Sequence, residues 1–100
     1  MRWVLVGNAL LLAASTSLVG CGGVYYAATV NAAETRLEEA RALGAAESAP
    51  YEYYYAHEHL EKARIEAAEA SYGDAVQHAK VAEEYAEKAV TAAKSSKEKP

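Results

Sequence analysis

Residues 72–93 read YGDAVQHAKVAEEYAEKAVTAA, and within them Tyr72, Ala75, Ala79, Ala82, Ala86, Ala89 and Ala93 are spaced alternately three and four apart. An α-helix turns about 100° per residue, so this spacing gathers all seven positions on one narrow face, the geometry of a coiled-coil seam. Alanine is the best helix former, and the intervening Glu, Lys and Gln are close behind it. Ser71, followed three residues later by Asp74, resembles a capping box with a short acid and marks the start of this helix.

Working outward, the same rhythm recurs twice upstream. Tyr53, Ala56, Leu60, Ala63, Ala67 and Ala70 form one series, and Tyr26, Val30, Ala33, Leu37, Ala40 and Gly44 another. No window alternates well enough for a strand. Gly44-Ala45-Ala46 loosens the end of the first helix. Ser48 is placed to cap the second, with Pro50 tolerated in its first turn. One to three residues separate the second and third helices, which must therefore fold back as an antiparallel hairpin. The expectation is an all-α fold: a three-helix antiparallel alanine-rich bundle, or a hairpin plus an N-terminal helix. Its helices would lie at about 24–46, 49–70 and 72–94, each roughly 30–35 Å long, followed by a flexible tail at 96–100. Asn31 with Glu34 offers an alternative start for the first helix.

Beyond residue 20 the chain holds 21 alanines in 80 positions, no phenylalanine, and nine residues that are Val, Leu or Ile. Each alanine buries little area at about 25 cal/mol per Å², so the tyrosines and few aliphatics must supply most of the apolar contact, or a partner must. Surface pairs such as Glu58–Lys62 and Glu84–Lys88 add about 0.2–0.5 kcal/mol each, too little to change that.

Upstream of the helices, Met1-Arg2 precedes an apolar stretch from Trp3 to Val19 that ends in Leu18-Val19-Gly20-Cys21, with the sole cysteine. The arrangement resembles a bacterial lipoprotein signal peptide, residues 1–20, with Leu18, Val19 and Gly20 as the signal-peptidase recognition residues. The stretch falls short of the roughly 20 apolar residues of a spanning helix and is interrupted by Asn8 and Ser15-Thr16-Ser17. The resemblance implies that Cys21 receives a diacylglyceryl group and becomes the new amino terminus, with residues 21–23 a lipidated tether. Two or three acyl chains would hold the chain stably on a bilayer. Gly22 after the cysteine, where aspartate often retains such proteins in the inner membrane, implies the outer membrane, facing the periplasm. A single modified cysteine forms no intrachain disulfide, so the domain must fold by packing alone. Without Arg2, nine Lys and Arg stand against fourteen Asp and Glu, a net charge of −5. That balance disfavours nucleic acid and anionic lipid headgroups. The basic end, Lys94, Lys97 and Lys99, suits a helix C-terminus and a solvated tail.

The run LEEARALGAAESAPYEY at residues 37–53, then Ala56, Leu60-Glu61-Lys62-Ala63-Arg64, Tyr72-Gly73-Asp74-Ala75 and the alanine-spaced third helix, resembles a domain-of-unknown-function family. That family is common in small bacterial envelope lipoproteins and is sometimes joined to a peptidoglycan-binding module of the outer-membrane-protein-A type. The resemblance spans about residues 30–93 and brings no catalytic residues with it. Ala63, Tyr72, Ala75, Ala79 and Ala82 also resemble one tetratricopeptide-type hairpin, although such repeats need about three units to be stable.

Candidate functional residues are few. Tyr51, Tyr54 and Tyr55 project away from the seam that holds Tyr53, and form a candidate partner-binding surface. The plainer reading is that the first helix covers some of them, with each hydroxyl left wet. His57 and His59 are two apart and diverge by roughly 200°, while His57 with Glu61 supplies two ligands at most; no metal site is expected, and the histidines, His78 included, read as solvated. Phosphate loops, nucleophile elbows and paired buried carboxylates do not occur. The expectation is a non-catalytic, lipid-anchored structural or adaptor protein of the bacterial envelope, without a cofactor beyond the lipid on Cys21. Its partners would be the membrane through that lipid, an envelope protein or peptidoglycan, or further copies of itself, and not nucleic acid. Two alternatives stand beside it: a tetratricopeptide-like hairpin binding peptides or unfolded envelope proteins, and an oligomeric coiled-coil lipoprotein attached to peptidoglycan through a terminal lysine, against which the ending Lys99-Pro100 argues.

Overall fold

A computed structural model describes residues 20–99. The expected signal peptide lies outside them, apart from Gly20, as does the side chain of Cys21. Four helices follow in order: α1 Gly20–Ala42, α2 Ala45–Ser48, α3 Pro50–Ala68 and α4 Tyr72–Glu98. There is no strand among the described residues, and none of these helices is long and apolar enough to cross a membrane.

The long α4 is the spine of an up-down-up bundle. Both α1 and α3 pack along it and touch each other much less. Tyr26 near the start of α1 lies 5.9 Å, ring to ring, from Tyr72 at the start of α4, while Ala40 near its end clusters with Ala89, Val90 and Ala93. Thus α1 runs parallel to α4, and α3 runs antiparallel to both. The turn of α3 into α4 and the N-terminus of α1 share one end of the rod.

Most seam positions pack as their spacing predicts, while Gly44, Ala70 and Tyr72 at the seam ends are exposed. Ala33, Ala40, Ala56, Ala63, Ala75, Ala79, Ala86, Ala89 and Ala93 are wholly buried, and Val30, Leu37, Leu60, Val76 and Val90 nearly so. Among the described residues no large side chain is completely enclosed. Methyl groups therefore form the contact plane, with Tyr26, Tyr53 and Tyr85 lying half-buried against its edges. Arg64 ties α3 to α1 through Glu34 while also holding Glu61, and Lys94 reaches Glu39 at 3.5 Å. All of these groups lie at the surface, where solvent screens such pairs and they contribute little. Of the two surface pairs expected from spacing, Glu84–Lys88 forms at 3.0 Å; Glu58–Lys62 is not among the ion pairs of the described residues.

Helix ends differ from the sequence expectation in ways that have local causes. Gly44 sits at φ 79°, ψ 24°, in the left-handed region, so α1 stops at Ala42 instead of running to 46. Ala45–Ser48 then makes one separate turn. Its Ser48 Oγ donates to the Gly44 carbonyl, so Ser48 ends that turn and does not cap α3. Ala49 takes the cap position and Pro50 the first turn, where a missing N–H costs nothing.

At the other turn, Ala70 adopts φ 60°. Its N–H bonds the Ala67 carbonyl at 2.9 Å and that of Ser71 bonds Glu66 at 2.8 Å, the two bonds of a Schellman motif. Gly44 and Ala70, both expected on the seams, are thus helix-ending residues. Ser71 precedes α4 but makes no side-chain capping bond. Helix α1 continues back through Gly22 and Gly23, where a tether was expected, and Gly22 lies against the Tyr72 ring. At the far end α4 continues through Ser95 and Ser96 to Glu98, replacing most of the expected tail, because its exposed Lys and Glu favour helix.

Two tests follow from these packing features. Nothing lies within 4 Å of a Cβ built on Gly44, so Gly44→Ala costs only the left-handed conformation, about 1 kcal/mol. Ala70→Gly relieves the same strain and stabilises by about 0.5–1 kcal/mol. Thermal unfolding followed by far-UV circular dichroism should show the two shifts with opposite signs. Ala82, 1 % exposed in the central cluster, leaves no room for a larger group. Ala82→Leu should destabilise by about 1–3 kcal/mol, whereas Ala28→Leu on the exposed face should be nearly neutral in the same assay.

Candidate functional site

The tyrosines of α3 divide into two groups. Tyr51 and Tyr55, one turn apart on α3, stack with ring centroids 5.6 Å apart. Tyr85 of α4 lies 4.3 Å from Tyr55 and 6.3 Å from Tyr51, closing a cluster of three. Tyr54 turns the other way and meets Tyr53 edge-on at 5.1 Å. The trio Tyr51, Tyr54 and Tyr55 singled out above is therefore not one patch, because a 100° step separates Tyr54 from Tyr55. Tyr51 remains 66 % and Tyr54 55 % exposed, while Tyr55 is half-buried. The cover over Tyr55 comes from α4, not from the first helix as the plainer sequence reading had it.

The strip continues along the α3–α4 groove. Tyr55 stands 4.5 Å from the His59 ring, and the His59 and His78 rings are 5.3 Å apart. Their Nδ1 atoms face each other at 3.1 Å, so one ring donates an N–H to the other. Neither histidine is the freely solvated group the sequence suggested. His57, by contrast, is exposed. Both Tyr85 and the His59–His78 pairing escaped the linear reading, which compared histidines along one helix. A usable signal existed: in an antiparallel hairpin, residues at similar distances before and after the turn face each other, as Tyr55 with Tyr85 and His59 with His78 do.

Electrostatics around the strip are uneven. Burial, then the neighbouring His78 and Lys62, hold the His59 pKa below the ordinary histidine value. Lys88 Nζ sits 4.4 Å over the Tyr85 ring and is held above its ordinary value, chiefly by its hydrogen bond to Glu84. A shallow recess lined by Glu58, His59, Glu61, Lys62 and Ile65 opens beside the histidine pair. A second, apolar recess formed by Gly22, Tyr25, Tyr72 and Val76 lies at the N-terminal end of the rod. Among the described residues no group of three or more His, Cys, Asp or Glu gathers about one point.

What the fold defines is a slender alanine-seamed helical bundle whose distinguishing surface is one aromatic strip. The chain belongs to the family described as Domain of unknown function (DUF4398), which it matches over residues 28–99. No curated protein and no solved structure matches it.

The His59 shift sets a pH dependence. Its folded pKa lies below the unfolded value, so the unfolded chain takes up the proton first. Stability is flat above about pH 6.5 and falls as pH drops from there through the folded pKa. Glu38 and Glu39, held below their ordinary value mainly by Arg41 and Arg36, act in the same direction only below about pH 4.5. Thermal midpoints measured between about pH 7.5 and 5 should decline, and His59→Gln should flatten that decline.

Proposed function

We propose that this protein is a lipid-anchored, periplasm-facing structural or adaptor component of the bacterial cell envelope, non-catalytic, that presents its aromatic strip to a protein partner. The observation that carries the reading is the Tyr51–Tyr55–Tyr85 cluster, with Tyr51 largely exposed at its outer edge. Aromatic residues half-packed on a rigid support are favoured anchors for protein contacts, since little side-chain entropy remains to be lost.

Lipidation at Cys21 rests on the resemblance of Leu18-Val19-Gly20-Cys21 to a lipoprotein processing site. With that anchor, the end of the rod bearing Val24, Tyr25 and Tyr72 faces the bilayer surface. These three side chains are exposed, and tyrosine suits a membrane–water boundary. Tyr85 then stands 13 residues up α4 from Tyr72, about 20 Å from the anchored end, within reach of a partner in the periplasm.

A photoreactive residue replacing Tyr51 in intact cells should capture one dominant envelope protein, and the same group at Ile65 should not. Indiscriminate capture from both positions, or none from position 51, would overturn the adaptor reading. Mass spectrometry of the native chain should show a thioether-linked diacylglyceryl group on Cys21; an unmodified thiol there would remove the anchor.

A further inference from the structure

We propose that His59 and His78 form a two-ligand site for a divalent first-row transition ion of the zinc, nickel and copper class, which clamps α3 to α4. The two Nδ1 atoms are 3.1 Å apart on different helices. An ion bound at about 2.0–2.1 Å from each would see them at an angle of about 100°, between the square-planar and tetrahedral values these metals accept. Imidazole is the ligand all three favour.

No net charge has to be created for binding. The proton now shared between the Nδ1 atoms belongs to one ring, and a tautomer shift moves it to that ring's Nε2, freeing both Nδ1 lone pairs. Because the rings meet nearly end-on, the ion sits off the line joining the nitrogens, and each ring swings by a fraction of a rotamer to meet it. Both side chains are partly exposed, which leaves that freedom, and His59 also borders a shallow recess on α3. Glu58 and Glu61 line this recess and offset the charge of Lys62. Tyr55 against the His59 ring limits how far it can turn away. Two protein ligands leave the remaining coordination positions to water, consistent with the absence of a third His, Cys, Asp or Glu about the same point among the described residues.

The site is independent of the adaptor reading, and the test does not involve the partner. The full chain, purified in detergent without a histidine tag and freed of metal with a chelator, is titrated calorimetrically with zinc, nickel or copper chloride alone. The expected result is one ion per chain, a raised thermal midpoint that a chelator reverses, and perturbed imidazole NMR signals of His59 and His78 but not His57. His59→Ala and His78→Ala should each weaken binding by on the order of tenfold or more, since even supporting residues around metal ligands have effects of about that size. His57→Ala should leave binding unchanged. No heat up to millimolar ion, an equal loss in His57→Ala, or a loss in only one of the His59 and His78 variants would overturn the proposal. Circular dichroism of each variant confirms that it remains helical, so that lost binding is not lost folding.

Discussion

Close approach of helices through alanine methyl groups is the constraint on which this structure depends. A larger residue at Ala63, Ala79, Ala82 or Ala86 would force the axes apart, and little else in the core could follow, since no large side chain among the described residues is fully enclosed. The resulting interface is shallow in area but continuous in contact, and dispersion across it depends on the methyl groups staying within van der Waals reach. Tyrosines then act as edge sealant, covering the margins of the seam with rings while leaving their hydroxyls hydrated. Ion pairs such as Arg64 with Glu34 select register more than they add stability.

Much of this was legible in the residues. The three-and-four spacing places Val30, Ala33, Leu37, Ala40, Ala56, Leu60, Ala63 and the whole Ala75–Ala93 series on buried faces, because burial on a helix is a matter of angle and the angle is fixed by spacing. The ends were harder to read. Nothing about an alanine announces a left-handed residue, so Ala70 passed for a seam position, and its role depends on two backbone bonds that no side chain encodes. Ser48 looks like a cap by type, yet Pro50 fixes the first turn one residue later and leaves Ala49 in that place. Gly22 and Gly23 read as a tether by propensity, whereas the Tyr72 ring packed against Gly22 supports helix there.

The candidate surface was half legible. Tyr51 and Tyr55 were marked out as off-seam, but grouping them with Tyr54 treated the back of the helix as a single direction. The partners that give the strip its shape, Tyr85 and His78, come from α4, and they become visible only when the hairpin is folded in thought and residues across it are compared. Membership of a family without assigned function leaves the chemistry to be argued from this strip, and the strip offers aromatic faces and imidazole nitrogens in place of a concave pocket.

The tight reversal at Ala70 carries one further consequence. Because so few residues join α3 to α4, this turn serves as a ruler for everything that meets across the groove. Inserting or deleting a single residue there would rotate one seam by about 100° against the other, uncover its methyl groups, and part Tyr55 from Tyr85 and His59 from His78 in one stroke. Length variation is therefore tolerable in the solvated end of α4 and forbidden at this corner, even though both are exposed chain.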